Sequence, residues 1–269
     1  MNKKIGFIGC GKMASAIITG IKNSCCAKNL ELMGSEVNCE IAELAKTKLG
    51  IDVIVSNRAL VKNCDIIFIA TKPNYVQSVL EEIKDEITSE KLLVSIAAGV
   101  STEKIEKIIG DYRVIRVMPN TPALIKEGMA GVCRGQNATS EDADFVIDLL
   151  NNVGKAVLVN ENEMDLVTAI SGSGPAFFYQ VIEDMARAGE KLGLNYEKSL
   201  LLVTQTALGS AKMIENRGEL TVQNLIDNVA TKGGCTFVGI SEMKNENSNE
   251  LFHKVIAQTA QKAHQLGQG

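Results

Sequence analysis

A glycine-rich turn follows the first apolar run of the chain, and its spacing suits the pyrophosphate of a dinucleotide. The run Gly-Phe-Ile-Gly-Cys-Gly-Lys-Met-Ala at residues 6–14 holds a G-x-G-x-x-A pattern between a predicted strand and a predicted helix. Gly9 permits the tight turn, Gly11 lets phosphates approach the backbone, and Ala14 lets helix and strand pack closely. Glycine turns also close ordinary βα units. The strand before and the helix after this turn nevertheless favour a dinucleotide cofactor, held by free N–H groups at the helix start.

The residues after the second predicted strand carry a mixed signal about the choice of nicotinamide cofactor. Glu36 lies in the region where an acidic side chain accepts a hydrogen bond from the ribose 2′-hydroxyl of NAD. Ser35, Asn57 and Arg58 could instead donate to the 2′-phosphate of NADP. Glu36 could equally be a solvated surface charge. These residues alone leave both cofactors open.

Three more loops follow predicted strands, at the edge where open α/β sheets bind ligands. They lie at Thr71–Asn74, Ala97–Val100 and Met118–Pro122. Each could be a simple turn, because Pro and Gly are turn residues in any protein. Three such loops at one edge of a sheet favour a binding site.

The two histidines limit the kinds of substrate that such a site could reduce. His253 and His264 both lie near the C terminus, far in sequence from the loops, so we expect surface or packing roles for them. Many dehydrogenases use a histidine to move the hydroxyl proton of an alcohol. A cyclic imine needs no such group, because once it is protonated on nitrogen it is already electrophilic at carbon. The sequence therefore favours the reduction of an imine.

A second glycine bend, at Gly233 and Gly234, ends one predicted helix and begins the next. The N–H groups at such a helix start can receive a carboxylate, and Thr236 could offer its hydroxyl to a ring nitrogen. The alternative is an ordinary helix corner with Thr236 as its cap. Cys235 is either a small packing residue or a reactive thiol.

The elements that must position these residues form two groups along the chain. Short β-branched runs alternate with helical periods up to Val159, and several runs are apolar at consecutive positions, which is typical of a parallel sheet covered on both faces. We predict an α/β domain at 1–160, with a doubly wound, Rossmann-type parallel sheet, and an all-helical domain at 161–269. The predicted strands are Lys4–Ile8, Leu30–Met33, Asp52–Val55, Asp65–Ala70, Leu92–Ala97, Arg113–Met118, Gly131–Cys133 and Lys155–Val159.

Two segments of the second group, Ala176–Leu192 and Ser199–Glu215, have too few polar residues for a wide solvated face. A helical region of this size has difficulty burying two such segments alone, so we expect a partner subunit to pack against them in a homo-oligomer. A self-contained helical bundle is the alternative.

Composition excludes several classes of protein. The 269 residues include 28 Lys and Arg against 32 Asp and Glu, a net charge of −4 without a basic block, so we expect no nucleic acid partner. The seven cysteines form no C-x-x-C pair, and with only two histidines they favour neither a metal site nor a disulfide framework. No apolar run suits a targeting segment or a membrane helix. We expect a cytoplasmic protein.

Six sequence blocks, at residues 6–13, 70–73, 95–100, 116–122, 171–176 and 232–236, together resemble the pyrroline-5-carboxylate reductase family. The succession of Met-Pro-Asn-Thr-Pro, Ser-Gly-Ser-Gly-Pro-Ala and a Gly-Gly-x-Thr corner is highly specific, and the likeness covers nearly the whole chain. The resemblance implies the last step of proline biosynthesis, the reduction of (S)-1-pyrroline-5-carboxylate to L-proline, with NADPH as cofactor and NADH as the alternative. It also implies a dimer, sometimes within a ring of dimers.

The same resemblance implies roles for particular residues. Thr236 would orient the imine as the catalytic residue, and Glu161 and Cys235 would contact the substrate with it. Two positions depart from the family pattern. Lys232 stands where many members have proline, and Glu36 stands where a serine suited to phosphate is frequent, which keeps NADH use open. The residues implied to contact NAD(P)H are Ile8, Gly9, Cys10, Gly11, Lys12, Met13, Ser35, Glu36, Asn57, Ala70, Thr71, Lys72, Pro73, Ile96, Ala97, Ala98 and Asn228.

Two other functions stay open at this level. A β-hydroxyacid dehydrogenase has a similar layout and a catalytic lysine four residues before an asparagine, as in Lys191 and Asn195, although Gly193 between them indicates a helix end. A non-catalytic protein that senses NADPH through its helical dimer surface would be expected to have a damaged substrate corner. The corner from Gly233 to Thr236 is intact.

Overall fold

Eight strands form one sheet, with the spatial order β3-β2-β1-β4-β5-β6-β7-β8. The computed structural model describes residues 3–268, apart from the side chains of Cys25, Cys26 and Gln268. All eight predicted strands are confirmed. Their bounds are β1 (Lys3–Ile8), β2 (Leu30–Ser35), β3 (Asp52–Ile54), β4 (Ile66–Ile69), β5 (Leu92–Ser95), β6 (Arg113–Met118), β7 (Gly128–Arg134) and β8 (Gly154–Leu158).

The sheet is parallel except at one strand pair. Strand β7 runs antiparallel to β6, with Met118 opposite Gly131, and parallel to β8. The segment between Met118 and Gly128 is too short for the crossover of about a dozen residues that a parallel pair requires. A tight reversal through a 3₁₀ turn at Thr121–Ile125 is therefore the geometry open to the chain.

Six helices cover both faces of this sheet, which confirms the doubly wound architecture. The helices α1, α2 and α6 pack on one face with Phe7, and α3, α4 and α5 pack on the other face with Ile8. The two faces alternate along β1 because successive side chains of a strand point to opposite sides. The bounds are α1 (Lys12–Lys22), α2 (Cys39–Leu49), α3 (Asn57–Asn63), α4 (Pro73–Ile83), α5 (Thr102–Ile109) and α6 (Ser140–Leu150).

The chain divides into two compact units. The sheet unit comprises the residues up to Ser173 together with those from Gln258 onward, and the helical unit comprises Gly174–Ala257. A short helix, α7 (Met164–Val167), and a π-helical turn at Thr168–Gly172 close the main part of the sheet unit. The predicted domain bounds, 1–160 and 161–269, stay a prediction.

The helical unit leaves large apolar side chains exposed. Its helices are α8 (Gly174–Lys191), α9 (Tyr196–Glu215), α10 (Val222–Val229) and α11 (Cys235–Asn245), followed by α12 (Ser248–Gln268), whose last turns belong to the sheet unit. On α8 and α9, Phe178 is 68% exposed and Leu201 is 69% exposed. The expected burial of these two helices is therefore not reached within one chain. Among the described residues, no helix has the length and apolar character that crossing a bilayer requires.

Candidate active site

The first glycine turn is held between three neighbouring strands. The N–H of Gly9 donates to the carbonyl of Ser35 at 2.9 Å, and its φ of +89° lies in the left-handed region that favours glycine. A Cβ at this position would lie 3.1 Å from the carbonyl oxygen of Ala70. Both the backbone conformation and the space therefore call for glycine.

The helix that follows this turn begins with open N–H groups. Gly11 is the N-cap of α1, no side chain caps the first turn, and no atom lies within 4 Å of where its Cβ would be. The hydroxyl of Thr71 is buried without a hydrogen-bond partner, and the methyl group of Thr71 lies beside Gly9. Unpaired donors and an open approach at a helix N-terminus are what an anionic pyrophosphate needs. The turn therefore fits the predicted dinucleotide.

At the end of β2, the residues predicted to face the adenosine ribose have partners inside the protein. The hydroxyl of Ser35 donates to Oδ1 of Asn57 at 2.7 Å, and Nδ2 of Asn57 donates to Oε2 of Glu82 at 2.9 Å. Arg58 donates to the carbonyl of Glu82 at 2.7 Å and pairs with Asp85 at 3.4 Å. These hydrogen bonds hold the side chains of Ser35, Asn57 and Arg58 in place at the carboxyl end of β2.

Glu36 turns toward the glycine turn. Its Oε1 accepts a hydrogen bond from the N–H of Cys10 at 2.7 Å. Gly34 makes this packing fit, because a Cβ there would lie 2.5 Å from Sγ of Cys10. Burial first, and then the nearby charge of Glu36, raise the pKa of the Cys10 thiol to about 12, so this thiol stays protonated at neutral pH.

Two more predicted cofactor segments lie at the ends of adjacent strands β4 and β5. Pro73 opens α4 directly after Thr71 and Lys72, and the N–H of Ile96 donates to the carbonyl of Ile69 at 3.1 Å. Gly99 continues the second loop with a φ of +75°. The strand order therefore gathers the predicted cofactor residues of β1, β2, β4 and β5 at one edge of the sheet, as expected for a doubly wound fold.

The third loop, Met118–Pro122, has a structural role in the fold. Nδ2 of Asn120 donates to the carbonyl of Ser171 at 3.1 Å, and its Oδ1 accepts from the N–H of Met129 at 2.8 Å. Asn120 is buried and thereby ties β6, β7 and the π-helical turn together. Both polar atoms of the Asn120 side chain are therefore used in hydrogen bonds that connect these elements.

The second glycine bend, in the helical unit, also opens a helix without a side-chain cap. Gly233 has a φ of +82°, and Gly234 is the N-cap of α11. Thr236 is the second residue of the helix and not its cap, so its hydroxyl has no capping role. Cys235 is an exposed free thiol. Lys232 and Asn228 are exposed on the same unit.

Glu161, which the resemblance implied to be a substrate contact, belongs to a polar cluster in the sheet unit whose other members the sequence did not indicate. Glu161 pairs with the buried Arg116 through Oε1, while its Oε2 accepts from the hydroxyl of Thr102 at 2.8 Å. Sγ of Cys133 lies 3.5 Å from the same oxygen, and the pKa of its thiol is raised to about 12, first by burial and then by the charge of Glu161. Both carboxylate oxygens of Glu161 are thus engaged.

His264 reaches this region because α12 returns to the sheet unit. Its Nδ1 lies 2.9 Å from Oδ2 of Asp165, beside a cavity of about 850 Å³ that Gly99 and Glu161 also line. A separation of nearly one hundred residues hides this proximity from sequence reasoning. Gly267 near the end of α12 is a local sign of this close approach, since a Cβ there would lie 2.9 Å from the carbonyl oxygen of Gly99.

The residues that favoured a β-hydroxyacid dehydrogenase are used at helix ends. Lys191 is the last residue of α8, Gly193 has a φ of +101°, and Asn195 caps α9 by accepting from the N–H of Lys198. A capping asparagine satisfies a free backbone donor and needs no catalytic explanation. The structure therefore gives no support to that alternative.

The fold and the open glycine turn together define a Rossmann-type oxidoreductase with a separate helical unit. Residues 4–99 match the family model described as NADP oxidoreductase coenzyme F420-dependent, and residues 161–266 match the model described as pyrroline-5-carboxylate reductase dimerisation. The chain is 39% identical to a pyrroline-5-carboxylate reductase of Methanosarcina acetivorans, over 99% of this chain and 98% of that protein. A relative of the same name from Glycine max is 35% identical over 97% of this chain and 95% of its own length.

Solved structures agree with these relatives. A pyrroline-5-carboxylate reductase from Coxiella burnetii superposes with a TM-score of 0.92 at 31% identity, covering 99% of both chains. The Plasmodium falciparum pyrroline carboxylate reductase, solved with NADP bound, gives a TM-score of 0.84 at 36% identity and covers 99% of this chain and 98% of its own. The chain belongs to the pyrroline-5-carboxylate reductase family, and it carries the dimerisation domain of that family.

Proposed function

We propose that this chain reduces (S)-1-pyrroline-5-carboxylate to L-proline with NAD(P)H, the last step of proline biosynthesis. The observation that carries the proposal is the presence of two open glycine bends in one chain, at Gly9–Gly11 and Gly233–Gly234, each starting a helix without a side-chain cap. One suits a pyrophosphate, and the other suits a small carboxylate. The family membership supports the assignment of these two ligands.

The sheet unit would hold the cofactor through backbone groups. The N–H groups at the start of α1 would receive the pyrophosphate, and the unpartnered hydroxyl of Thr71 would gain a partner there. The loops at Lys72–Pro73 and Ile96–Ala98 would line the nicotinamide end, and Ser35, Asn57 and Asn228 are proposed as further contacts. When bound, the reduced nicotinamide supplies a hydride to C5 of the imine.

The helical unit would hold the imine. The N–H groups at the start of α11 would bind the substrate carboxylate, and the hydroxyl of Thr236 would face the ring nitrogen and orient it. The nitrogen proton of the product comes from the imine protonated in solution, so the chain needs no strong acid at this point. Cys235 would contact the substrate mainly through its backbone. Glu161, of the sheet unit, is proposed as a further substrate contact, in addition to its bonds to Arg116 and Thr102.

A second copy of the chain would complete the helical unit. The exposed apolar side chains of α8 and α9 are what an isologous dimer interface would cover. A ring of dimers and a cytoplasmic location stay predictions.

The direct test is a set of initial rates with the cyclic imine and each reduced cofactor in turn. We expect L-proline and oxidised cofactor in equal amounts. Turnover of a 3-hydroxyacid with NAD, and none of the imine, would support the dehydrogenase alternative instead. Tight cofactor binding without turnover of either substrate would indicate a non-catalytic sensor.

A further inference from the structure

Glu36 is placed where a dinucleotide would present its adenosine ribose. The residue directly follows β2, and its backbone is fixed because its N–H donates to the carbonyl of Ile54 at 3.0 Å. Its carboxylate turns toward the glycine turn and accepts from the N–H of Cys10 at 2.7 Å. An acidic residue in this place accepts hydrogen bonds from the ribose hydroxyls.

The Glu36 carboxylate has a second oxygen that can still accept a hydrogen bond. Within residues 3–268, the one hydrogen bond to the Glu36 side chain reaches Oε1, which leaves Oε2 open at a partly exposed position. A ribose 2′-hydroxyl can donate to that oxygen, whereas a 2′-phosphate is mostly fully ionised at neutral pH and carries a charge of the same sign.

The side chains that could have bound a 2′-phosphate already have hydrogen-bond partners within the protein. Ser35 is fully buried and donates its hydroxyl to Asn57, which in turn donates to Glu82. The guanidinium of Arg58 is held by the carbonyl of Glu82 and the carboxylate of Asp85. At the carboxyl end of β2, the carboxylates of Glu36, Glu82 and Asp85 thus face a single guanidinium that is already paired, an unfavourable balance for an added phosphate.

We propose that Glu36 is the residue that determines cofactor specificity, and that it makes this chain prefer NADH to NADPH. The inference rests on the proposed function for the identity of the cofactor class. It adds the choice between the two cofactors, which neither the family membership nor the glycine turn decides, because the turn recognises a pyrophosphate that both cofactors share.

The test is isothermal calorimetry with NADH and NADPH, repeated with ADP-ribose and its 2′-phosphorylated form to isolate the adenosine end. At low ionic strength, where surface charges are least screened, we expect the wild-type protein to bind each form without the phosphate at least tenfold more tightly. Calorimetry is preferred to intrinsic tryptophan fluorescence because the chain contains no tryptophan.

Two substitutions sharpen the assignment. Glu36→Gln keeps an oxygen for the N–H of Cys10 but removes the charge, so the preference should shrink to about threefold or less. Glu36→Ser removes the charge and shortens the side chain, so it should shrink the preference at least as much as Glu36→Gln. Glu40→Gln is the matched control, because it removes an exposed carboxylate from the first turn of α2 and should leave the ratio unchanged.

The outcomes separate this inference from the function on which it rests. A wild-type preference for NADPH, or a ratio that Glu36→Gln and Glu36→Ser both leave unchanged, would overturn the role of Glu36 even if the imine is reduced. Absence of imine reduction with the expected ratios would overturn the proposed function and keep the role of Glu36. A general loss of fold does not mimic either result, since each ratio is measured within one protein and the wild type is tested first.

Discussion

The two glycine bends of the chain share two local features but have very different surroundings. Both Gly9 and Gly233 have a positive φ, and both bends open a helix that no side chain caps. Around Gly9, the last four residues of β1 and all of β4 are buried, and Phe7 stacks on Phe68 with ring centroids 4.6 Å apart. Around Gly233, neither α10 nor α11 contains a buried residue.

This difference shows which part of the protein is complete within one chain. The sheet unit buries enough apolar surface on both faces of the sheet to hold its glycine turn rigid. The helical unit leaves its apolar surface open, so its corner depends on packing that one chain does not provide. The bend proposed to bind the cofactor therefore lies on a well-packed sheet, and the bend proposed to bind the substrate lies on a unit whose apolar surface a second copy would cover.

The largest effect is expected from charges placed on the open face of the helical unit. Phe178→Glu combined with Leu201→Glu would bury two carboxylates per chain in the dimer interface, which is strongly unfavourable without partners. We expect dissociation to monomers in size-exclusion chromatography with light scattering, and a loss of at least about 100-fold in imine reduction. Leu44→Glu, at a similarly exposed position on α2 of the sheet unit, is the control and should stay dimeric and active. Intact dimers in the double variant would refute the dependence on a second copy.

The next effect is expected at the first bend. In Gly9→Ala, the left-handed φ costs roughly 1–2 kcal/mol, and the new Cβ meets the backbone of Ala70 at 3.1 Å. Because neighbouring strands fix that backbone, the turn must shift. We expect the affinity for NADH to fall by about tenfold or more in calorimetry, together with a lower melting temperature. An unchanged affinity would show that the turn does not bind the cofactor.

A smaller effect is expected at the second bend, from the same substitution. In Gly233→Ala, the φ of +82° adds strain of roughly 1–2 kcal/mol, but no atom lies within 4 Å of the new Cβ. The corner can relax because nothing blocks it. We expect kcat/KM for the imine to fall about tenfold while the affinity for the cofactor stays within about twofold, measured by steady-state kinetics and calorimetry. An equal loss in both quantities would contradict the separation of the two bends.

The smallest effect is expected at Cys235. The thiol is exposed and free, and the proposed contact with the substrate uses its backbone N–H, which alanine also provides. Cys235→Ala should therefore change kcat and KM by less than about twofold. A large loss would give the thiol itself a role in the reaction and would require a different account of the corner.

The alternation of strands and helices could be predicted from the sequence because buried parallel strands are apolar at consecutive positions, as in Ile66–Ile69. The reversal at β7 could not, since strand direction depends on how the short segment after Met118 folds. The tight turn at Gly9 could also be predicted from the sequence, because a left-handed φ excludes most residues other than glycine.

Side-chain partners were the part of the site that the sequence did not reveal. Nothing local indicates that Glu161 pairs with Arg116, or that α12 brings His264 beside Gly99, because these contacts join residues far apart in the chain. The orientation of the Glu36 side chain is also a feature that the sequence did not reveal. Its charge was visible in the sequence, but its hydrogen bond to the N–H of Cys10 depends on the packing of β2 against the turn.

The most direct measurement compares Thr236→Ala with Thr236→Ser for both turnover of the imine and affinity for the cofactor. Removing the hydroxyl should lower kcat about 10- to 100-fold, the range of one hydrogen bond to a charged group, while the Kd of NADH and the thermal stability hardly change. The serine variant should keep most of the activity. Unchanged kinetics in Thr236→Ala, or an equal loss of cofactor affinity, would contradict the account that one bend binds the cofactor and the other presents the imine.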